Sequence, residues 1–212
     1  MDVSQLIALS LGSAWASGIN LYATVFMLGM MNLTGAVDLP SSLDVLSHPA
    51  VLTIAGVMYF VEFFADKIPG LDSAWDAIHT FIRIPAGVVL AATALGDVSP
   101  AYQIAAALVG GALTTSTHAA KTGTRVLINT SPEPVTNWTA SITEDFFVII
   151  GIWTALKHPW LFLVLLVLFV FALIWLLPII WGGIRKIISW FAGFFGKRGS
   201  PLTPPASPTL LE

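Results

Sequence analysis

Six long apolar runs, near residues 8–31, 50–65, 84–96, 99–119, 145–157 and 159–182, constrain this 212-residue chain more than any other feature. If each run crosses a bilayer in turn, the connections fall alternately on its two faces. Lys67, Arg83, Lys121, Arg125, Arg185, Lys186, Lys197 and Arg198 then all lie on one face, and only Lys157 lies on the other. Cationic residues near span ends are retained on the cytoplasmic side. The expectation is an all-α, polytopic transmembrane helical bundle of six spans with both termini cytoplasmic.

Composition agrees by a separate route. Only 10% of the residues are charged and 56% are hydrophobic, whereas a soluble domain carries about 25% charged residues. A surface so poor in charge faces lipid. The absence of cysteine excludes disulfides and thiolate metal sites. A net charge of −3 argues against nucleic acid as a partner. Asp2 precedes an apolar stretch that holds no Lys or Arg, so the N-terminus reads as the first span and not as a signal peptide.

The runs are unequal. Crossing the hydrocarbon takes about 20 apolar residues. The sixth run, Trp160 to Trp181, meets that length and is apolar all round, as a lipid-facing helix is. Pro178 is expected to bend it near its end. The third, Ile84–Gly96, and the fifth, Phe146–Leu156, are short. They reach full length only by taking in the polar stretches 72–83 and 141–145. Short spans with polar extensions occur at transporter sites, and tilted helices in a thinned bilayer are the alternative. The first run carries Ser13, Ser17, Gly18 and Asn20. The fourth is lean, with Gly110-Gly111 and Thr114–Thr117, and is expected to be the central, tightly packed helix. Asn20 at membrane depth needs a partner, either another helix or a ligand.

Residue spacing gathers the chemistry on one side. Glu62 and Asp66 share a helix face, and Pro69-Gly70 then makes a turn. Asp72, Asp76, His79 and Arg83 form a second stripe, with Ala74, Ala77, Ile78 and Phe81 opposite. Asp72 suits the positive end of that helix. His118, Lys121 and Arg125 form a basic stripe beyond the fourth run. Asn129, Glu133 and Asn137 follow through a Pro-punctuated loop, and Glu144-Asp145 precede the fifth run.

The candidate site therefore comprises Asn20, Glu62, Asp66, Lys67, Asp72, Asp76, His79, Arg83, His118, Lys121, Arg125, Asn129 and Glu133. Ionisable groups inside a membrane bundle mark sites by default. The acidic stripe would take a cation or protons, and the basic stripe an anionic group. The competing reading is an interhelical salt-bridge network that pairs Asp66, Asp72 and Asp76 with Lys67, Arg83, Lys121 and Arg125. Asp72, Asp76 and His79 together offer oxygen and imidazole donors suited to Mg, Mn or Zn. No cofactor is otherwise expected.

Three two-helix units can be superposed, opening at Pro49, Pro100 and Pro159 on their second helices, although Pro at helix starts explains most of that likeness. Residues 1–183 read as the bundle, 184–198 as an interfacial amphipathic helix whose Lys197-Arg198 meets anionic headgroups, and 199–212 as a disordered Pro/Ser-rich tail. His48 and His158 precede prolines at the outer face and are expected in solvent.

At Ser-Gly-Ile-Asn-Leu-Tyr-Ala-Thr (17–24), Phe-Phe-Ala-Asp-Lys-Ile-Pro-Gly (63–70), the run from Asp72 to Gly87, and Ser-Pro-Glu-Pro (131–134), the chain resembles one bacterial membrane family. It is the family catalogued as domain of unknown function 4126, over about residues 5–175. The resemblance implies a bacterial inner-membrane protein and no particular activity. The functional expectation is a small permease for an ion or small anionic solute, functioning as a homodimer or trimer. An intramembrane metal-dependent enzyme acting on a phosphorylated lipid and a non-catalytic scaffold are the alternatives.

Overall fold

The computed structural model describes residues 1–130 and 134–196. Glu133, Lys197, Arg198 and the 199–212 tail lie outside them. Among the described residues the chain is all α. Helices α1 (Val3–Leu33), α2 (Pro49–Ala65), α3 (Leu71–Thr93), α4 (Pro100–Ile128), α5 (Pro134–Lys157) and α6 (Pro159–Gly196) follow in order, with a 3₁₀ turn at Ser41–Ser47. The helix starts follow local chemistry. Pro occupies the first turn of α2 and α4, where its missing N–H costs nothing. Asp2 and Gln5 close a capping box on α1, and the Gln5 amide holds the Asp2 carboxyl below its ordinary value. Gly70, at φ +84°, turns the chain from α2 into α3, a conformation that residues with a Cβ resist.

The two short runs are completed as expected. The polar stretch 72–83 continues without a break into α3, and 141–145 lies inside α5. The helix α6 runs unbroken through Gly182-Gly183 and Pro178 to Gly196, so the amphipathic segment is its continuation and not a separate element.

The helix at the centre is α1, not α4. It packs against all five other α-helices and buries 17 residues, from Ala8 to Gly29. The physical reason is the small-residue content of its middle. A Cβ on Gly18 would collide with the Thr117 side chain and lie 2.6 Å from the Thr114 carbonyl oxygen, while the ring of Trp15 lies directly against Gly151. Close approach is fastened by hydroxyls. Ser10 donates to the Ala91 carbonyl at 2.7 Å, and Thr114 donates to that of Ala14 at 2.8 Å. Hydroxyl bonds across closely packed helices are what hold bundles in lipid, where apolar contact gives little net drive.

Polar residues point inward and apolar residues outward. Ser13, Ser17, Thr114, Arg83 and Arg125 are fully or almost fully buried, whereas Phe81, Leu108, Phe171 and Trp175 are each about two-thirds exposed or more. This inversion fits a protein solvated by lipid. By length and apolarity three helices are fit to cross a membrane: Val3–Leu33, Val135–Lys157 and Pro159–Trp190. The 3₁₀ turn with α2, bent by 63°, adds a fourth only if that bent pair counts as one span. The helices α3 and α4 fall short because one face of each is polar and buried in the bundle. Contacts fix the two ends of the bundle: Lys157 reaches the Ala36 carbonyl and Ser42 that of Thr93 at one, while the charged side chains gather toward the other.

Close packing at Gly18 yields a test. Gly18→Ala is expected to lower the melting temperature in detergent by roughly 4–8 °C, the effect of about 2 kcal/mol of overpacking in a chain of this size. Gly182→Ala, where an added Cβ meets nothing within 4 Å, is expected to leave it unchanged. Equal responses would show that the α1–α4 contact is not tight.

Candidate functional site

The helix α1 is broken at Asn20. Its backbone there is extended (φ −146°, ψ 100°) between two helical halves. A break leaves the carbonyls of the first half and the amides of the second without helical partners. Asn20 repairs the second half by accepting a hydrogen bond from the Ala23 amide at 2.9 Å, as a helix N-cap does. The first half is repaired from α4: the Lys121 ammonium donates to the Ile19 carbonyl at 3.0 Å. A cation at the negative end of a helix is electrostatically favoured. The Asn20 amide then donates to Asp145 on α5 at 3.0 Å.

Around Lys121 lies a buried ion network. Its Nζ stands 2.9 Å from Asp66, 3.4 Å from Glu62, 3.6 Å from Glu144 and 3.7 Å from Asp76. Arg83 bridges Glu62 at 2.6 Å and Asp76 at 2.8 Å with all three side chains fully buried. Arg125 bonds Glu144 at 2.6 Å and donates to the backbone carbonyls of Asp66 and Asn137. The heptad step from Asp76 to Arg83, two helical turns, and the four-residue steps from Glu62 to Asp66 and from Lys121 to Arg125 put these groups on the facing sides of three helices.

His118 and Thr80 extend the network. The Arg83 guanidinium, which can only donate, faces His118 Nδ1 at 3.4 Å. The ring therefore carries its proton on Nε2 and donates to Thr80 Oγ1 at 2.7 Å. Thr80 in turn donates to the Asp76 carbonyl at 2.9 Å.

Other predicted residues sit apart. Asp72 accepts from the amides of Gly70 and Ser73 in the first turn of α3, and both its oxygens accept from Asn129, which is held in turn by Asn137. His79 turns to the Trp75 carbonyl at 2.8 Å and stacks on that indole with centroids 4.1 Å apart. Lys67 donates to the Phe63 carbonyl and to Ser141, with its Nζ over the Phe63 ring. The three metal candidates thus serve three different partners. Among the described residues no group of three or more His, Asp or Glu is placed to hold a metal ion.

Glu144 and Asp145 were visible as a charged pair before the fifth run but stood outside the candidate set. Adjacent residues on a helix point about 100° apart, so one reaches Arg125 and the other Asn20. The break itself had a faint signal in Ser17-Gly18-Ile19-Asn20, where a poor helix former precedes a favoured N-cap.

The network is not neutral. Five carboxylates (Glu62, Asp66, Asp76, Glu144 and, through Asn20, Asp145) face three cations (Arg83, Lys121, Arg125), a formal excess of two negative charges with the histidines neutral. Among the described residues, one oxygen on each of Glu62, Asp66, Asp76 and Asp145 is buried without a hydrogen-bond partner.

The family profile described as a domain of unknown function (DUF4126) matches residues 7–179, which take in the broken helix and every described member of the network. The chain belongs to this family. No curated protein and no solved structure matches it. The DUF4126 match spans all six helices up to the middle of α6.

Stranding one buried charge tests the network. Arg83→Met is expected to cost about 3 kcal/mol, since it leaves two buried carboxylates, Glu62 and Asp76, with only the more distant Lys121 as a partner. Adding Glu62→Gln to that variant is expected to recover part of the loss, measured by denaturation in mixed micelles. A neutral single variant would show that these ion pairs do not support the fold.

Proposed function

We propose that this DUF4126 protein is a small permease of the bacterial cytoplasmic membrane that moves a cation or protons through the network. Six crossings, with α3 and α4 burying their polar faces, and two cytoplasmic termini are the topology that the charge bias supports. The observation that carries this reading is the break in the central helix, at a buried site with two excess negative charges. Uncompensated charge inside a membrane bundle is costly. Protons or a bound cation relieve it, and their arrival and departure change which helices are held together. Broken helices whose freed carbonyls meet a cation recur in transporters. Here Lys121 takes that place.

An anionic solute is a weaker fit as cargo, because it must displace carboxylates from Lys121 and Arg125. The scaffold reading draws support from one fact: Arg83, Lys121 and Arg125 are all paired. The enzyme reading would need a metal, and Asp72, Asp76 and His79 are turned to separate partners. A chain of this size points to a homodimer or trimer as the transporting unit.

Reconstituted protein under an imposed pH or sodium gradient is expected to move protons or the cation, read by an internal dye. Asp145→Asn, which keeps the shape and removes a charge beside the break, is expected to slow that flux at least tenfold with the melting temperature held. Flux absent from the unaltered protein under both gradients would sink the transport reading and leave the scaffold.

A further inference from the structure

Two cavities run along α1, α5 and α6 beside the network. One, of about 250 Å³, is lined by Trp15, Phe147, Phe169 and Leu176 and reaches Lys121 and Glu144. The other, of about 270 Å³, shares the same three aromatic side chains and continues between α5 and α6 past Gly151 and Phe162. Together they form an apolar, aromatic slot with charge at one end only.

Which charge is open to a ligand follows from the hydrogen bonds. An ammonium has three donors, and those of Lys121 go to the Ile19 carbonyl, Asp66 and Glu62. No donor remains for an anion. Among the described residues Glu144 uses only Oε2, toward Arg125 and Lys121, and its Oε1 meets no donor. Its side chain is 19% exposed, against 0–4% for its partners in the ion pairs. Trp15, on the wall of both cavities, is 8% exposed and lends them one face of its ring system.

We infer that this slot binds an amphipathic organic cation. Its quaternary or primary ammonium meets Glu144 Oε1 against the aromatic wall of Trp15, Phe147 and Phe169, and its apolar tail fills the second cavity. Aromatic faces and a carboxylate together favour such a head, and the surplus negative charge of the network favours the same sign. The inference names a substrate class for the permease and rests on that reading only for transport; binding stands separately.

The test uses octanoylcholine as the cationic probe, with octyl sulfate and octanol as matched anionic and neutral controls, titrated into the full chain in lipid nanodiscs. Saturable octanoylcholine binding is expected, with octyl sulfate at least tenfold weaker. Shortening the tail should loosen it by roughly three- to fourfold per methylene. Glu144→Gln should weaken binding at least tenfold. Because that change touches Arg125, Leu176→Trp serves as a second variant that fills the first cavity and leaves every ion pair in place. It too should abolish binding. Undiminished binding in both Glu144→Gln and Leu176→Trp, or a preference for octyl sulfate, would overturn the inference. Binding without flux would sink the permease and keep the site; flux of protons without probe binding would do the reverse.

Discussion

One ammonium group organises this molecule. Lys121, on α4, touches a carbonyl of α1 and carboxylates carried by α2 or its C-cap, by α3 and by α5. In water such a cluster would contribute little. In a bundle solvated by lipid, apolar contact between helices gives almost no net drive, so packing of small residues and polar contacts hold the helices together. The chain is built on both. Gly18, Gly87 and Gly110 let Thr114, Thr117 and Ala91 of the neighbouring helices sit directly against the backbone of α1, α3 and α4, and the charges lock the rotation at which those surfaces meet.

The break in α1 follows from the same contact. A straight helix would satisfy its own backbone and would offer Lys121 nothing at Ile19. Opening it at Asn20 exposes one carbonyl to the ammonium and turns the Asn side chain into both a cap for Ala23 and a donor to Asp145. The cost of the lost helical bonds is offset only while Lys121 and Asp145 stay in place. Backbone geometry on α1 is therefore coupled to the charge state of residues on α4 and α5. That coupling is local, made of named hydrogen bonds, and needs no long-range pathway.

Much of this was readable in the chain. Apolar run lengths marked the helices, the four-residue steps 62–66 and 121–125 marked facing stripes, and the short third and fifth runs announced polar extensions that the structure makes helical. What periodicity shows is which residues share a face; it does not show which face meets which neighbour. Hence Lys67 and Asp72, on plausible stripes, bond Phe63 and Asn129 in place of each other's kind, and His79, buried on the face it shares with Asp76 and Arg83, stacks on Trp75 and pairs with no charge of the stripe. Small-residue content alone does not single out the central helix, because the first run is as lean as the fourth and only the packing partners decide between them. The break was missed because an extended residue inside an apolar run leaves the run's hydropathy unchanged.

The energy scale of the network decides what can operate it. Removing one partner from a buried pair costs about 3–5 kcal/mol, so the closed arrangement does not open by thermal motion to any useful extent. A single pKa unit corresponds to about 1.36 kcal/mol, so titration over two to four units supplies the same amount. One proton on Asp145 would remove the acceptor charge that steadies Asn20, while a cation arriving at Glu144 would draw on an oxygen that no neighbour uses. Either event replaces a partner and strands none. A network that is rigid against breaking and soft toward exchange suits the permease proposed above, and its excess of negative charge favours a cation as the cargo of that proposal.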